Sequence, residues 1–189
     1  MIRISGGEFK GKSIKIPKTV LTRPSTSYSR KVIFDTLMGQ MFNATVLDLF
    51  GGSGSLGIEA LSRGAKCAIF NDLGKAQISI IKENLASLGL LSKSTLIQKD
   101  AMKTLKEWSH EKIDVLFLDP PYSMNINQIC EILTLIEQKQ ILQPGGVICL
   151  EIHSSNLEMI QKLPFSSLKI TKEKKKGSTT LLFIGCLSA

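Results

Sequence analysis

One stretch limits what this chain can fold into more than any other. Residues 46–57 form an apolar run that passes into a glycine-rich turn, with the sequence VLDLFGGSGSLG. Gly52, Gly54 and Gly57 follow the G-x-G-x-x-G spacing, at which glycines permit positive φ, close backbone approach to a ligand and tight helix packing. The stretch therefore predicts a buried strand, a tight turn and the start of a helix. Nucleotide-binding α/β proteins share this spacing, and so do turns that need glycine only for packing.

Short apolar runs alternate with amphipathic stretches through the rest of the chain. Strands are predicted at 45–50, 65–71, 94–98, 113–119 and 146–152, and helices at 56–63, 75–88, 101–108, 126–139 and 156–162. This alternation predicts a mostly parallel sheet covered by helices on both faces. Two further runs, 168–171 and 179–184, flank a turn at 174–178 and predict a C-terminal hairpin. We therefore expect a Rossmann-like α/β fold with seven strands, one of them antiparallel to its neighbours in the sheet.

The first 44 residues precede this alternation and have a different pattern. Isoleucines alternate with polar residues on either side of three glycines, which predicts a β-hairpin over residues 2–16. Ser25, Thr26 or Ser27 is suited to cap a helix that runs to about Met41. The apolar face of that helix is Ile33, Phe34, Leu37, Met38 and Met41. We expect residues 1–44 to form a small extension and residues 45–189 to form the main domain.

Positive charge is concentrated at the two ends of the chain. The net charge is +8, of which residues 1–44 hold +6, residues 45–164 hold −2 and residues 165–189 hold +4. Clustered Lys and Arg side chains suit an anionic polymer, because contacts with phosphates require them close together. The extension is therefore the expected RNA-binding part, through Arg3, Lys10, Lys12, Arg23 and Arg30.

The composition predicts no metal site and no membrane anchor. The four cysteines are far apart and lack the paired spacing of zinc sites or disulfide frameworks. No apolar run approaches the roughly 18 residues that span a bilayer, and the N-terminus has no apolar signal region. We expect a cytoplasmic protein that acts as a monomer.

Acidic residues follow three successive predicted strands. Asp48 lies near the carboxyl end of the first predicted strand, Asp72 ends the next apolar run, about 20 residues beyond Gly52, and Asp100 follows the third strand. Because parallel strands end at one edge of a sheet, these acids should converge there. They suit S-adenosylmethionine, which has an ammonium group for Asp48, ribose hydroxyls for Asp72 and an adenine amine for Asp100. The expected cofactor site is these acids with Ala101 and the turn residues Gly51, Gly52 and Gly54.

A second motif, Asp119-Pro120-Pro121-Tyr122, follows the next predicted strand. Proline fixes the backbone and cannot donate, so the carbonyls of Asp119 and Pro120 are expected to be held toward whatever lies above the strand end. Acceptors for both hydrogens of a planar amine localise its lone pair for methyl transfer, and Tyr122 offers a face on which a base can stack. We expect these four residues to form the catalytic loop. A strand that simply ends in a Pro-Pro loop is the alternative.

An ionised Asp119 accepts hydrogen bonds but does not donate them. Guanine presents its N1 and N2 donors side by side and suits this acceptor, whereas adenine presents a donor beside an acceptor. The preference for guanine is weak, since methyltransferases that act on adenine also use Asp at this position.

These motifs resemble a known family. The matching pieces are the glycine turn, Arg3-Ile4-Ser5-Gly6-Gly7 with Gly11-Lys12, Arg23-Pro24-Ser25-Thr26 through Arg30 to Phe34, and Asp119-Pro120-Pro121-Tyr122. Over nearly the whole chain they are similar to the bacterial small-subunit ribosomal RNA guanine-N2 methyltransferases of the RsmD type. The resemblance implies a class I methyltransferase fold, S-adenosylmethionine as the donor, and a guanine of small-subunit ribosomal RNA as the acceptor, in an assembling or assembled subunit.

Other functions fit the sequence less well. A methyltransferase acting on DNA adenine would need a separate target-recognition domain, and one acting on a protein glutamine amide would not need the basic extension. A non-catalytic RNA-binding protein would not need the acids, the glycines and the Asp-Pro-Pro-Tyr loop together. A nicotinamide oxidoreductase would leave that loop without a role.

Overall fold

A single seven-stranded sheet forms the centre of the computed structural model, which describes residues 1–17 and 27–187. Its strands are β3 (Thr45–Asp48), β4 (Cys67–Asp72), β5 (Ser94–Gln98), β6 (Ile113–Leu118), β7 (Leu142–His153), β8 (Leu168–Lys176) and β9 (Thr179–Cys186). They lie in the order β5-β4-β3-β6-β7-β9-β8. Strands β3 to β7 are parallel, and β9 runs antiparallel to both β7 and β8. A two-stranded ribbon, β1 (Ile2–Arg3) with β2 (Ser13–Ile14), stands apart from this sheet.

Helices cover both faces of the sheet, as the strand–helix alternation predicts. They are α1 (Ser27–Thr36), α2 (Ser55–Ser62), α3 (Lys75–Ser87), α4 (Ala101–Lys106), α5 (Ile126–Gln138) and α6 (Leu157–Gln161). Alternate strand residues such as Phe70 and Phe117 join α1, α2 and α3 in one hydrophobic cluster. Their neighbours Ile69 and Leu116 join α4, α5 and α6 in a second cluster on the other face. The fold class predicted from the sequence is confirmed, including the antiparallel C-terminal hairpin.

Contacts with α2 attach the N-terminal ribbon to the main domain. The buried carboxylate of Glu59 accepts hydrogen bonds from the backbone N–H of Ser5 at 2.8 Å and from Arg63 Nε at 2.9 Å. Near the end of α2, Ser62 Oγ accepts from the N–H of Phe9 at 3.0 Å. Because α2 runs back from the carboxyl edge of the sheet, the contacts at Ser62 hold Phe9 beside the end of α2 that is farther from that edge.

Two boundaries near the C-terminus differ from the prediction. β7 begins at Leu142, whereas the strand was predicted to begin at 146. The pairing with β6 shifts between Ile113 and Val115, which accommodates the additional residues. β8 continues through the lysines to Lys176, so the hairpin turn consists of Gly177 and Ser178 alone. The lysines occupy an edge strand, where charged side chains oppose pairing with another chain.

The helix of the extension is shorter than predicted. It ends at Thr36, and the chain turns before Gly39, which has φ 88°. Ile33, Phe34, Leu37 and Met41 are buried as expected, but Met38 is exposed because the helix has ended before it. The predicted helix cap at Ser25 or Thr26 lies outside the described residues. Among the residues that the structure describes, no helix is long and apolar enough to cross a membrane.

Candidate active site

A cavity of about 370 Å³ opens at the carboxyl ends of the parallel strands. The segments that follow β3, β4, β5 and β6 all contribute to its lining. Strand order reverses between β3 and β6, and the helices that follow these two strands pack on opposite faces. This reversal leaves a crevice outside the strand ends, the place where open α/β sheets bind ligands.

The glycine turn after β3 forms one side of the cavity. Gly52 has φ 55°, a left-handed conformation that favours glycine, and it lines the cavity beside Gly51. Gly57 serves packing instead, since a Cβ on it would lie 2.3 Å from Cε1 of Phe70 in β4. Gly54, a predicted cofactor residue, has φ 78° and packs near Ile81, and it is not part of the lining. Different glycines therefore serve the two predicted purposes. Gly52 lets the backbone approach a ligand, and Gly57 lets the helix pack closely against β4.

Asp72 ends β4 and ties two loops together at the cavity. Its Oδ2 accepts a hydrogen bond of 2.9 Å from the N–H of Gly52, and its Oδ1 accepts one of 2.8 Å from the N–H of Gly74. The carboxylate is half-buried and lines the cavity. Each carboxylate oxygen has a second lone-pair direction, so both can still accept from a ligand.

Asp48 lies deeper than the sequence suggested. It is 2% exposed, it is not part of the cavity lining, and its Oδ2 accepts from the N–H of Gly57 at 3.1 Å. Burial raises the pKa of Asp48 to about 8, the hydrogen bond from Gly57 opposes that rise, and the charges of Asp119 and Asp72 add to it. Three carboxyl groups thus influence one another electrostatically at the end of the sheet. A cation bound among them would favour the ionised form of Asp48.

The third acid, Asp100, caps α4 and borders the cavity. Its Oδ1 accepts from the N–H of Lys103 at 3.0 Å, and both Asp100 and Ala101 line the cavity.

Sequence reasoning missed Asn71, which also lines the cavity. Asn71 is 1% exposed, its side chain donates a hydrogen bond to the carbonyl of Leu49, and its Oδ1 accepts one from the hydroxyl of Thr104. The sequence signal that could have indicated Asn71 is a polar residue within an otherwise apolar strand, because buried polar groups need hydrogen-bond partners.

The Asp119-Pro120-Pro121-Tyr122 loop follows β6 and faces the acids across the same cavity. All four residues line it, and the N–H of Met124 donates to the carbonyl of Pro121 at 2.8 Å, which closes the loop in a turn. The Tyr122 side chain is 67% exposed. An exposed aromatic ring beside a cavity is available for a planar ligand to stack on.

The cavity also has apolar lining that the sequence analysis did not assign to a site. Phe50, Leu73 and Met124 contribute, and Leu73 is 68% exposed although it directly follows β4. Ile16 and Pro17 reach the cavity from the N-terminal extension. Nothing in the sequence pattern places these two residues there, because their position depends on how the extension packs.

The predicted RNA-binding residues divide into exposed and buried groups. Arg3, Lys10 and Lys12 are exposed on the ribbon. Arg30 is only 7% exposed, and burial lowers its pKa while the charge of Glu59 opposes that effect, so its placement does not fit a direct contact with RNA phosphates. Arg23 lies outside the described residues. Within the described ranges, no cluster of three or more His, Cys, Asp or Glu side chains could hold a metal ion.

The basic end of β8 lies at the same edge of the sheet as the cavity. Thr179 at the start of β9 pairs with His153 at the carboxyl end of β7, and Lys176 pairs with Thr179. Nζ of Lys176 lies 3.7 Å from the centre of the Tyr28 ring, which joins the hairpin to the start of α1. The exposed lysines near this end are Lys172, Lys174, Lys175 and Lys176.

Comparison with solved structures identifies the fold. The yhhF protein of Escherichia coli is 28% identical and superimposes with a TM-score of 0.85 over 98% of each chain. SMU.776, a methyltransferase by its description and crystallised with SAH, is 17% identical; its TM-score is 0.69, over 94% of this chain and 52% of that protein. The latter likeness concerns the fold alone. The fold is that of the class I methyltransferases.

Relatives of similar length extend the comparison. Residues 2–185 match the family described as Conserved hypothetical protein 95. Ribosomal RNA small subunit methyltransferase D of Haemophilus influenzae is 32% identical over 152 residues, covering 79% of this chain and 78% of that protein. The protein of the same name from Escherichia coli K12 is 31% identical over 155 residues, covering 82% and 76%. The chain therefore belongs to the Conserved hypothetical protein 95 family and is a relative of the ribosomal RNA small subunit methyltransferase D proteins.

Proposed function

We propose that this protein methylates the exocyclic N2 amine of a guanine in small-subunit ribosomal RNA. One observation supports the proposal above the others: the Asp119–Tyr122 loop and the acids Asp72 and Asp100 border one cavity of about 370 Å³. A methyl donor and a planar amine can therefore meet in a single site. The names of the relatives support small-subunit ribosomal RNA as the substrate. The hydrogen-bonding capacity of Asp119 supports guanine as the target nucleobase.

The cofactor is S-adenosylmethionine, which supplies a methyl group activated on a sulfonium. Asp72 accepts from the ribose hydroxyls, and Asp100 accepts from the adenine amine. Gly51 and Gly52 present backbone at close range, while Phe50 and Leu73 provide apolar surface. Carboxylates and apolar side chains suit this ligand, because it has cationic and hydroxyl groups and no phosphate. Asp48 and Gly54 do not line the cavity and affect the donor indirectly. The charge of Asp48 attracts the cationic donor, and Gly54 sets the shape of the glycine turn.

The acceptor base enters from the side of the Asp-Pro-Pro-Tyr loop. Asp119 and the carbonyl of Pro120 accept the hydrogens of its amine, which localises the nitrogen lone pair for attack on the methyl group. Pro120 and Pro121 have no N–H, so the loop offers acceptors and no competing backbone donor there. Tyr122 stacks on the base after its extrusion from the RNA. Guanine is preferred because an ionised Asp119 matches its adjacent N1 and N2 donors.

The RNA backbone follows the basic extension. Residues 1–44 act as the RNA-binding part and residues 45–189 as the methyltransferase part. Arg3, Lys10 and Lys12 are exposed on the ribbon, and the same extension reaches the cavity at Ile16 and Pro17. Lys174–Lys176 provides a second basic surface at the cavity edge itself. Phosphate contacts on both surfaces would hold the target base near Tyr122.

Mass analysis of methylated nucleosides tests the proposal. Purified protein is incubated with small-subunit ribosomal RNA or small ribosomal subunits and with donor carrying a deuterated methyl group, and the RNA is then digested to nucleosides. We expect labelled N2-methylguanosine with the wild type, formed about a hundredfold or more slowly with Asp119→Ala. Labelled N6-methyladenosine would move the acceptor to adenine. Donor binding without label in any RNA would indicate a non-catalytic RNA-binding protein.

A further inference from the structure

The N-terminal extension and the glycine turn meet at one buried side chain, Asn84 of α3. Asn84 is 2% exposed. Its Oδ1 accepts from the backbone N–H of Lys15 at 2.8 Å, and its Nδ2 donates to the carbonyl of Lys15 at 2.9 Å and to the carbonyl of Ser53 at 3.0 Å. A single amide group therefore binds the backbone of the extension as a neighbouring strand would, and it also binds the glycine turn.

The residues held in this way border the cavity. Ile16 and Pro17 directly follow Lys15, and both line the cavity, as does Ser53 on the turn. Pro17 is buried, and Ile16 is 39% exposed. Without Asn84, the segment that ends at Pro17 would lose the two backbone hydrogen bonds of Lys15 that connect it to α3, and the link from α3 to Ser53 on the turn would be lost as well.

We propose that Ile16 and Pro17 form a wall of the methyl-donor site and that Asn84 is the positioning residue that holds this wall against the glycine turn. The proposal rests on the proposed function, because the cavity must bind the donor. An unattached wall would have to become ordered each time the donor binds, and ordering backbone costs free energy that would otherwise favour binding. Asn84 removes that cost by fixing the wall beforehand.

The chemistry of the amide explains why Asn occupies this position. Both amide hydrogens of Asn84 are used, one on each carbonyl, while its oxygen takes the Lys15 N–H. Asp at position 84 has the same size, but as a carboxylate it would place an oxygen against two carbonyl oxygens. Ala at position 84 would leave the N–H of Lys15 and both carbonyls without this partner.

Donor affinity measured on four variants tests the role of Asn84. Asn84→Ala, Asn84→Asp and Ile16→Ser are titrated calorimetrically with S-adenosylmethionine, and Glu83→Gln is the matched control. Glu83 neighbours Asn84 on α3 and pairs with the Lys15 side chain at 3.1 Å, with both side chains largely exposed, so its removal spares the backbone contacts. We expect Kd to rise about tenfold or more in the two Asn84 variants, by the loss of hydrogen bonds of ordinary strength, and to stay at the wild-type value in Glu83→Gln.

Kinetics separate positioning from a purely structural effect. In the Asn84 variants the KM for the donor should rise with Kd, while kcat at saturating donor and the affinity for RNA stay close to wild type. Ile16→Ser should raise the donor KM with little change in thermal stability. If the Asn84 variants do not fold, this variant alone tests whether the wall contributes to donor binding. Wild-type Kd values in folded Asn84→Ala and in Ile16→Ser would overturn the proposal and leave the proposed function intact. Absence of donor binding by the wild type would overturn both.

Discussion

The backbone N–H of Gly52 donates a hydrogen bond of 2.9 Å to Oδ2 of Asp72, so the turn after β3 and the acid that ends β4 fix one another. The other oxygen of Asp72 accepts from Gly74 at 2.8 Å. One carboxylate therefore sets the shape of two loops that border the cavity and also faces the space where a ligand would bind. A substitution at this position affects the ligand directly and through both loops.

Replacing Asp72 should weaken donor binding strongly. Asp72→Ala removes acceptors for the ribose hydroxyls and should cost about 1.5–3 kcal/mol, or roughly ten- to over a hundredfold in Kd. Asp72→Asn keeps one acceptor oxygen and should lie between the wild type and Asp72→Ala. Calorimetric titration with S-adenosylmethionine measures both, with circular dichroism to confirm folding. Wild-type affinity in folded Asp72→Ala would remove this residue from the site.

Replacing Asp119 should affect chemistry more than donor binding. Asp119→Ala removes a preorganised acceptor for the amine, and by analogy with loss of one oxyanion-hole contact the methyl-transfer rate should fall about a hundredfold or more. Donor Kd should change little. Single-turnover rates at saturating RNA and donor measure the effect. A variant that transfers methyl groups at the wild-type rate would exclude the proposed role of the loop.

Donor binding at neutral pH should release a proton from Asp48. Its pKa is about 8, raised chiefly by burial, so the group is mostly protonated at pH 7, and a cationic ligand favours the ionised form. The donor's own amine cannot produce this result, since an amine near an acid takes up protons on binding. Calorimetry at pH 7 in buffers of different ionisation enthalpy counts the protons. Release should disappear in Asp48→Asn, and equal values in both proteins would assign the proton to another group.

Sequence reasoning succeeded where local pattern determines structure. The alternation of strands and helices fixed the fold class, and the positions of Asp72, Asp100 and Asp119 at strand ends followed from the convergence of parallel strands at one edge. The sequence could not show that Asp48 is buried beneath the turn or that Arg30 is buried beside Glu59. Both outcomes depend on how neighbouring elements pack, and local pattern contains no information about such contacts.

The same limit applies to Ile16, Pro17 and Asn84. Alternation correctly predicts the N-terminal ribbon, but the place where its end meets the cavity depends on the contacts of Asn84 with Lys15 and Ser53, which lie 69 and 31 residues away in sequence. β8 differs for another reason: a run of lysines indicates a turn by composition, yet pairing with β9 extends the strand through them.

Glu137 should make the C-terminal hairpin sensitive to acid. Its Oε1 accepts hydrogen bonds from Ser167, Ser166 and Leu168; burial tends to raise the pKa of Glu137, but these bonds outweigh it and hold the pKa below the usual 4.5. A lowered folded-state pKa contributes stability above pH 4.5 that is lost as pH falls through the folded value. Glu137→Gln keeps an acceptor oxygen without the charge and should unfold about 1 kcal/mol more easily at pH 7.

Urea denaturation at pH 7 and at pH 3 measures this difference. The stability gap between the wild type and Glu137→Gln should narrow at the lower pH, because the carboxyl group of the unfolded chain is then protonated and the stability gained from the lowered folded-state pKa declines. Glu131→Gln is the matched control, because Glu131 is exposed on the same helix and the same charge is removed. A gap of equal size at both pH values would show that charge on Glu137 does not stabilise the hairpin.

The two basic surfaces should contribute separately to RNA binding, which tests whether the RNA extends from the ribbon to the cavity edge. Lys10 and Lys12 are exposed on the ribbon, and Lys174 and Lys175 are exposed near the end of β8. Replacing either pair by Ala should remove about two phosphate contacts and reduce the slope of log K against log salt by roughly 1.4 for single-stranded RNA. Donor affinity should not change, since none of the four lines the cavity.

Lys112 and Lys139 provide the matched control pair. Both are exposed and precede β6 and β7, at the edge of the sheet opposite the cavity. Their replacement by Ala removes the same charge and should leave the salt slope nearly unchanged, because screening weakens charges that lie far from the bound RNA.

RNA affinity across a salt series, measured together with donor affinity on the same proteins, distinguishes binding at both surfaces from binding at one of them. If only the Lys174/Lys175 pair changes the slope, RNA binds at the cavity edge alone and the ribbon serves the donor site through Ile16 and Pro17. If the control pair changes it equally, RNA binding depends on net charge, and neither surface is a specific RNA contact.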